Sequence, residues 1–407
     1  MHVLLITTYF APDQGAAATR LTRLASWFKR QGHQVTVLTT LPHYPYGHIL
    51  DGYRNRFQMT EDRDGIRVIQ TWLWATPSPK ISRKLLSQLS FMLTALLRGT
   101  VLKRPDVVLI EAQPILTNLA GILISKFKRV PYVLNVSDLW PDHLLSVGVL
   151  TENHPVYRIA RALVDMTYHH AAYIAAMSPA WAESIQRIVG KIEKIQVIYN
   201  GVDLQRFRPD VTSDEFRLKY GLTGAKLVTF IGTLATQYDF ATMINAAAHF
   251  ANRRDVRFVF IGGGSQTERV QHLLSQHPHV TWLDWIDYAD IPQAWAASYI
   301  TYWAMRAQPL YEGTIPAKWY EALASGVPIA AASEGIITSL LAANGAGLTV
   351  NCGDSIGLSQ AIERLIDQPE LHERCRRSAR AYAVQHFDPQ RVGEQYERLL
   401  IASQSRA

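Results

Sequence analysis

The chain is expected to fold as two successive α/β domains, each a mainly parallel sheet covered by helices. Three observations carry that expectation. Short apolar runs such as Val3 to Thr8, Val107 to Ile110 and Tyr132 to Val136 read as strands buried on both faces, as parallel strands are. Helical patterns separate these runs, and the alternation starts afresh at Leu227. The 407 residues, 48% of them hydrophobic, suffice for two sizeable cores.

The first strand, Val3 to Thr8, leads into a loop of small residues ending at Arg20. The following helix buries Leu21, Leu24, Ala25 and Phe28, stops at Gly32, and is succeeded by a strand from Gln34 to Thr39. This βαβ unit puts its loop, with Gly15 and Ala16, at a strand's carboxyl end, where open α/β sheets hold ligands. It lacks the full G-x-G-x-x-G pattern, so a dinucleotide is not indicated. Pro42 to Gly47 is a loop rich in rings and proline, suited to an acceptor groove or to packing. Asp62-Arg63-Asp64 has a D-x-D spacing, but Gly65 and a strand follow at once, so a hairpin turn is expected there and no metal site.

Lys80 to Arg104 carries a leucine stripe: Leu85, Leu86, Leu89, Leu93, Leu96 and Leu97. Lys80, Arg83 and Lys84 precede it; Arg98, Lys103 and Arg104 close it. The apolar part is too interrupted to span a bilayer, but a helix of this kind can lie in the membrane interface. A core helix with solvated ends has the same pattern. Charge favours the interface: residues 1–208 carry a balance of +10 and the remainder −3. An anionic membrane surface or a phosphorylated acceptor fits that asymmetry; nucleic acid does not, because the cations are not interleaved with rings in any module pattern. Two cysteines, Cys352 and Cys375, give no disulfide framework and no metal-ligand spacing, and a cytoplasmic setting is expected.

Asp138-Leu139-Trp140-Pro141-Asp142-His143 follows a strand end and offers acid/base groups, Asp138 foremost; Asp142 could equally be a helix cap. Asn200-Gly201-Val202-Asp203 is a turn, and the sequence turns polar around 210–216. The domains are therefore drawn as 1–208 and 209–387. In the second, Gly232-Thr233 follows the strand Leu227 to Ile231, and Gly262-Gly263-Gly264 follows Phe258 to Ile261. These loops suit close backbone approach to a ligand, and Asp284-Trp285 could bracket a nucleobase.

The stretch Glu312 to Pro328 concentrates the chemistry. Pro316 can open a helix; Ala317, Tyr320, Leu323 and Ala324 give it a buried stripe; Gly326 and Pro328 end it. Lys318 and Glu321 share a face, so a cation in the first turn can meet phosphate while the carboxylate accepts from sugar hydroxyls. An ordinary surface ion pair has the same spacing.

Together these motifs resemble the family-four retaining glycosyltransferases of the GT-B fold, over nearly the whole chain. The likeness is strongest to the fucosaminyltransferase-like branch of O-antigen and exopolysaccharide synthesis. It rests on Tyr9 to Arg20, on Pro42 to Gly47 with Gly52-Tyr53-Arg54, on Ser137 to Asp142, on Asn200 to Phe207 and on Pro316 to Glu321. The resemblance implies two Rossmann-like domains facing each other across a donor/acceptor cleft, with a final helix, 388–407, crossing back onto the first. It implies Gly15 and Ala16 beside the donor diphosphate, Lys318 neutralising the leaving phosphates, Glu321 on the ribose and Asp138 near the reacting sugar. Glu312, one residue off the wider family's spacing, becomes a further candidate sugar contact. Thr233 and Tyr238 stand where the family has Arg and Lys; Arg306 is the expected substitute.

The implied function is metal-independent, cofactor-free sugar transfer from a nucleotide sugar, UDP-linked by expectation, to a polyprenyl-diphosphate-linked or glycan acceptor. The protein would sit peripherally on the inner face of the plasma membrane. Two other readings fit: a GT-B sugar-nucleotide epimerase, or a non-catalytic nucleotide-sugar-binding subunit.

Overall fold

The computed structural model describes residues 1–78, 80–146 and 150–405. They divide into two compact units: residues 1–200 with 389–407, and residues 201–388. The division thus falls ahead of 208, leaving Val202 and Phe207 in the second unit. There Phe207 is buried and the Val202 amide donates to the Phe387 carbonyl.

In chain order the first unit contains β1 (His2–Ile6), α1 (Ala16–Arg30), β2 (Gln34–Thr40), β3 (Gln58–Arg63), β4 (Ile66–Thr71), α2 (Ile81–Val101), β5 (Val107–Glu111) and α3 (Ile115–Lys128). It continues with β6 (Tyr132–Val136), α4 (Asp142–Ser146), α5 (Pro155–His170), β7 (Tyr173–Ala176), α6 (Pro179–Val189) and β8 (Ile195–Val197). The strands form one sheet in the order β3-β4-β2-β1-β5-β6-β7-β8, parallel except at β3. The order reverses direction between β1 and β5, so the loops after those strands flank a topological switch point. Asp62 accepts from the Gly65 amide at 2.8 Å and Asp64 is left-handed, so this pair builds the β3–β4 turn.

The second unit contains α7 (Asp214–Lys219), β9 (Lys226–Ile231), α8 (Phe240–Ala248), β10 (Val256–Ile261), α9 (Thr267–Leu274), β11 (Val280–Leu283), α10 (Ile291–Ala297) and β12 (Ser298–Ala304). Then come α11 (Pro309–Glu312), α12 (Ala317–Ala324), β13 (Ile329–Ala332), α13 (Ile336–Asn344), β14 (Gly347–Val350), α14 (Ser355–Asp367) and α15 (Pro369–His386). Its sheet is wholly parallel, in the order β11-β10-β9-β12-β13-β14. The last helix, α16 (Pro389–Gln404), belongs to the first unit. Val392, Tyr396, Leu399 and Leu400 join its core beside Trp27, and the Trp27 indole donates to Gln390 at 2.8 Å.

Helix α2 departs from the usual amphipathic rule. Its buried side is Phe91, Thr94, Ala95 and Gly99. A Cβ on Gly99 would collide with Ile124 of α3, so small residues let the two helices approach closely. The leucine stripe faces outward instead: Leu85, Leu86, Leu89, Leu93 and Leu97 are exposed, Leu97 by 68%. Among the described residues no helix is long and apolar enough to cross a membrane.

Candidate functional site

In the second unit the glycine loops and α12 meet at the carboxyl ends of β9 and β10. Pro316 is the residue before α12, in extended conformation, and the Trp319 amide bonds back to its carbonyl. Lys318, in the first turn, is buried. Its ammonium lies over the Phe230 ring at 3.2 Å and the Tyr238 ring at 4.3 Å, and finds no hydrogen-bond acceptor among the described residues. Burial holds its pKa well below the ordinary lysine value, against a smaller opposing pull from Glu321. A side chain on Gly232, whose φ is 136°, would meet this ammonium at 3.2 Å. Glycine here therefore leaves the cation next to the strand-end backbone, where a phosphate could approach it.

The triple glycine has a different explanation from the one its sequence suggests. Side chains on Gly262 and Gly264 would strike the backbones of Gly232 and Leu234, and one on Gly263 would meet the Trp285 indole at 2.7 Å. Packing of one strand-end loop on the next thus demands these glycines by itself. Thr233 lies in this contact: its methyl would be 3.0 Å from a Cβ on Gly264. Trp285 is exposed, beside Asp284, whose carboxylate accepts from the Trp285 amide at 2.8 Å.

Arg306 reaches the same corner. Its amide bonds to the Gln237 carbonyl and its Nε donates to the Tyr238 carbonyl at 3.4 Å, while Met305 pairs with Tyr238. Lys318 and Arg306 therefore both approach Tyr238, the position where the resemblance expects a cation. Glu321, one turn on, accepts from the Trp295 indole at 3.0 Å; Trp295 was not among the expected residues. Glu312 is exposed at the end of α11, and its backbone packs tightly on Gly335.

In the first unit Gly15, with φ 111°, precedes the exposed amino terminus of α1. Ala16 is the helix's first residue. Tyr44 packs against Gly15, where a side chain would come within 2.9 Å of its ring. Buried Asp13 explains how this loop is held: one carboxylate oxygen accepts from the amides of His43 and Tyr44 at 2.7 and 2.8 Å. Burial raises the Asp13 pKa to about 6 and lowers that of His43 to about 4. The loops after β1 and β2 thus form one surface beside the switch point, with Tyr9 stacked on His43.

Asp138 follows β6; its side chain accepts from the Leu139 amide at 2.9 Å and its carbonyl accepts from Gln113 at 2.7 Å. Asp142 is differently committed. Tyr157 and Arg161 of α5 hold its two oxygens at 2.7 and 3.0 Å, so it serves as an anchor for α5. The imidazole of His143 lies outside the described residues. Next to Asp138, the Ser137 hydroxyl donates to buried Glu111 at 2.6 Å. Glu111 also accepts from Arg20 and Asn135, and Asn135 in turn accepts from the Tyr396 hydroxyl at 2.6 Å. Glu111 and Asn135 escape sequence reading because they sit inside apolar strands with no motif around them.

Paired parallel α/β sheets with glycine loops at strand ends define a GT-B glycosyltransferase fold. Residues 15–201 match the Glycosyl transferase 4-like domain and residues 212–382 match Glycosyl transferases group 1. The chain belongs to the family-four glycosyltransferases. It is 25% identical over 385 residues to the GDP-mannose-dependent alpha-mannosyltransferase of Mycobacterium tuberculosis, covering 92% of this chain and 89% of that one. It is 21% identical over 285 residues to the putative colanic acid biosynthesis glycosyl transferase WcaI of Escherichia coli, covering 68% and 69%. Its fold is similar to that of Anabaena Alr3699/HepE, solved in complex with UDP-glucose. That match has a TM-score of 0.71 and 19% identity, over 99% of this chain and all of the other.

Proposed function

We propose that this glycosyltransferase moves a sugar with retention from a UDP-sugar to a polyprenyl-diphosphate-linked or glycan acceptor. The reaction would take place at the inner face of the cytoplasmic membrane, in bacterial surface polysaccharide synthesis. The observation that carries the donor half is Lys318, a buried ammonium beside Gly232 that has no hydrogen-bond acceptor among the described residues. A diphosphate leaving group supplies the missing counter-charge. Lys318 and Arg306 neutralise it without a metal, aided by the amino terminus of α1 at Gly15 and Ala16. Glu321 takes the ribose, Trp285 the base, Glu312 a sugar hydroxyl, and Asp138 lies by the reacting carbon. Likeness to a colanic acid transferase and to a protein solved with UDP-glucose supports the substrate classes.

The expected result is transfer of sugar from a UDP-sugar in the presence of polyprenyl-diphosphate acceptor, followed by product mass, with little consumption in its absence. Equal consumption without acceptor, yielding an epimerised sugar, would identify the epimerase. Tight nucleotide-sugar binding with no turnover under any condition would identify the binding subunit.

The outward leucine face of α2 supports the membrane half, with Lys80, Arg83 and Lys84 at one end and Arg98, Lys103 and Arg104 at the other. Deleting 80–104 would strip buried Phe91 and Ala95 from the first unit and uncover Ile124 of α3, so surface replacements are the sounder test. Leu93→Ser/Leu97→Ser is expected to weaken sedimentation with anionic vesicles about tenfold or more, as the loss of two inserted leucines implies. Unaltered sedimentation would remove the membrane assignment.

A further inference from the structure

At the amino-terminal ends of β6, β7 and β8, opposite the loops just described, the first unit has a cavity of about 640 Å³. Lys126 and Arg129 enter its wall from the end of α3, His170 from the end of α5, and Lys191 and Lys194 from the segment before β8. Glu193 is the one acid in that lining. Lys194 has a structural duty, donating to the Tyr168 and His169 carbonyls that end α5. Lys126, Arg129 and Lys191 are exposed. Helix carboxyl ends favour cations, but that accounts for single residues and not for convergence from separate elements on one concavity.

The cavity adjoins the apolar side of the unit. On α3, Lys126 lies between exposed Leu123 and Phe127, the latter 67% exposed. Val101, the last residue of α2, is 69% exposed. Arg104 donates to the Arg129 carbonyl at 2.8 Å, joining the end of the α2 segment to the cavity rim. An apolar strip from Leu85 to Phe127 thus runs into a cationic hollow, the arrangement that suits a molecule with acyl chains and a phosphate head.

We propose that this cavity is a headgroup site for an anionic phospholipid, its phosphate held by Lys126, Arg129 and Lys191 and its chains beside Leu123 and Phe127. The inference rests on the membrane reading above and adds lipid selectivity to it. The test is flotation of the full chain with vesicles of phosphatidylcholine alone and of phosphatidylcholine mixed with phosphatidylglycerol. Wild type is expected to prefer the mixed vesicles. Lys126→Gln/Lys191→Gln should lose about tenfold of that preference, following the surface contribution of each cation, and keep its binding to neutral vesicles. A control, Lys29→Gln/Arg30→Gln, removes two exposed charges from α1, which packs with α16. Undiminished preference in the cavity variant, or an equal loss in the control, overturns the headgroup site while leaving membrane binding intact. Wild type binding neither vesicle overturns both. A soluble phosphate ligand would show itself differently: glycerol phosphate would raise the melting temperature of wild type and not of the cavity variant, with vesicle preference equal in the two, and that outcome also rejects the lipid.

Discussion

Lys318→Met is expected to lower turnover by about two decades or more and to raise the melting temperature of the ligand-free protein. The two effects have one cause. The ammonium is buried over Phe230 and Tyr238 with no acceptor among the described residues. Desolvation opposes its charge, while a leaving diphosphate requires that charge. Methionine keeps the unbranched chain, one atom shorter, and removes the desolvation cost, roughly 1 kcal/mol or more of added stability and a few degrees in melting temperature. The pH dependence has a definite sign. The unfolded chain keeps this lysine protonated up to its ordinary value of 10.5, whereas the folded chain releases the proton earlier. Unfolded molecules bind more protons, so this group makes stability rise with pH between the lowered and the ordinary value. On the proposed donor reading, binding of UDP would restore the charge and take up a proton, so UDP affinity is expected to fall as pH rises through the same window. Calorimetry and nucleotide titration of wild type and Lys318→Met across that window check both signs. A variant with near-normal turnover would remove Lys318 from the site.

How much of this was legible in the sequence differs by element. The sheets were legible because strands buried on both faces are continuous apolar runs, and helix α12 because its apolar residues and its stop residues agree, although Ala317 of the expected stripe is exposed and Lys318 and Trp319 are buried. The glycines after β9 and β10 were legible as a demand for space but not as to what fills it. Side-chain positions on Gly262, Gly263 and Gly264 are contested by neighbouring loops, and loop-on-loop contact leaves no period in a sequence. In α2 the leucine stripe was plain, yet which side is buried depends on Ile124 of α3 meeting Gly99. Asp142 read as a possible acid or cap because its partners Tyr157 and Arg161 lie on the next helix. Ser137 carried no signal of its own because its partner, the Glu111 carboxylate that also accepts from Arg20, lies inside an apolar strand.

That carboxylate carries the second large effect. Glu111→Ala is expected to destabilise the first unit by about 3–5 kcal/mol, the range for leaving one member of a buried ion pair unopposed. Arg20 would lose its 2.7 Å partner while still largely buried, and Asn135 and Ser137 would each lose an acceptor. Tyr396→Phe removes only the hydrogen bond to Asn135 and should cost about 1 kcal/mol. Because Asn135 links the two, the double variant should fall short of the sum, a coupling that chemical denaturation can measure. Additive losses would mean that Glu111 and the last helix are held independently. Coupled losses would mean that one buried network joins α16, contributed by the end of the chain, to the strand ends beside Asp138. Hydrogen exchange separates the cases further. If the network is one unit, Glu111→Ala should deprotect the amides around Tyr396 as well as those of β5, although Glu111 and Tyr396 share no direct bond.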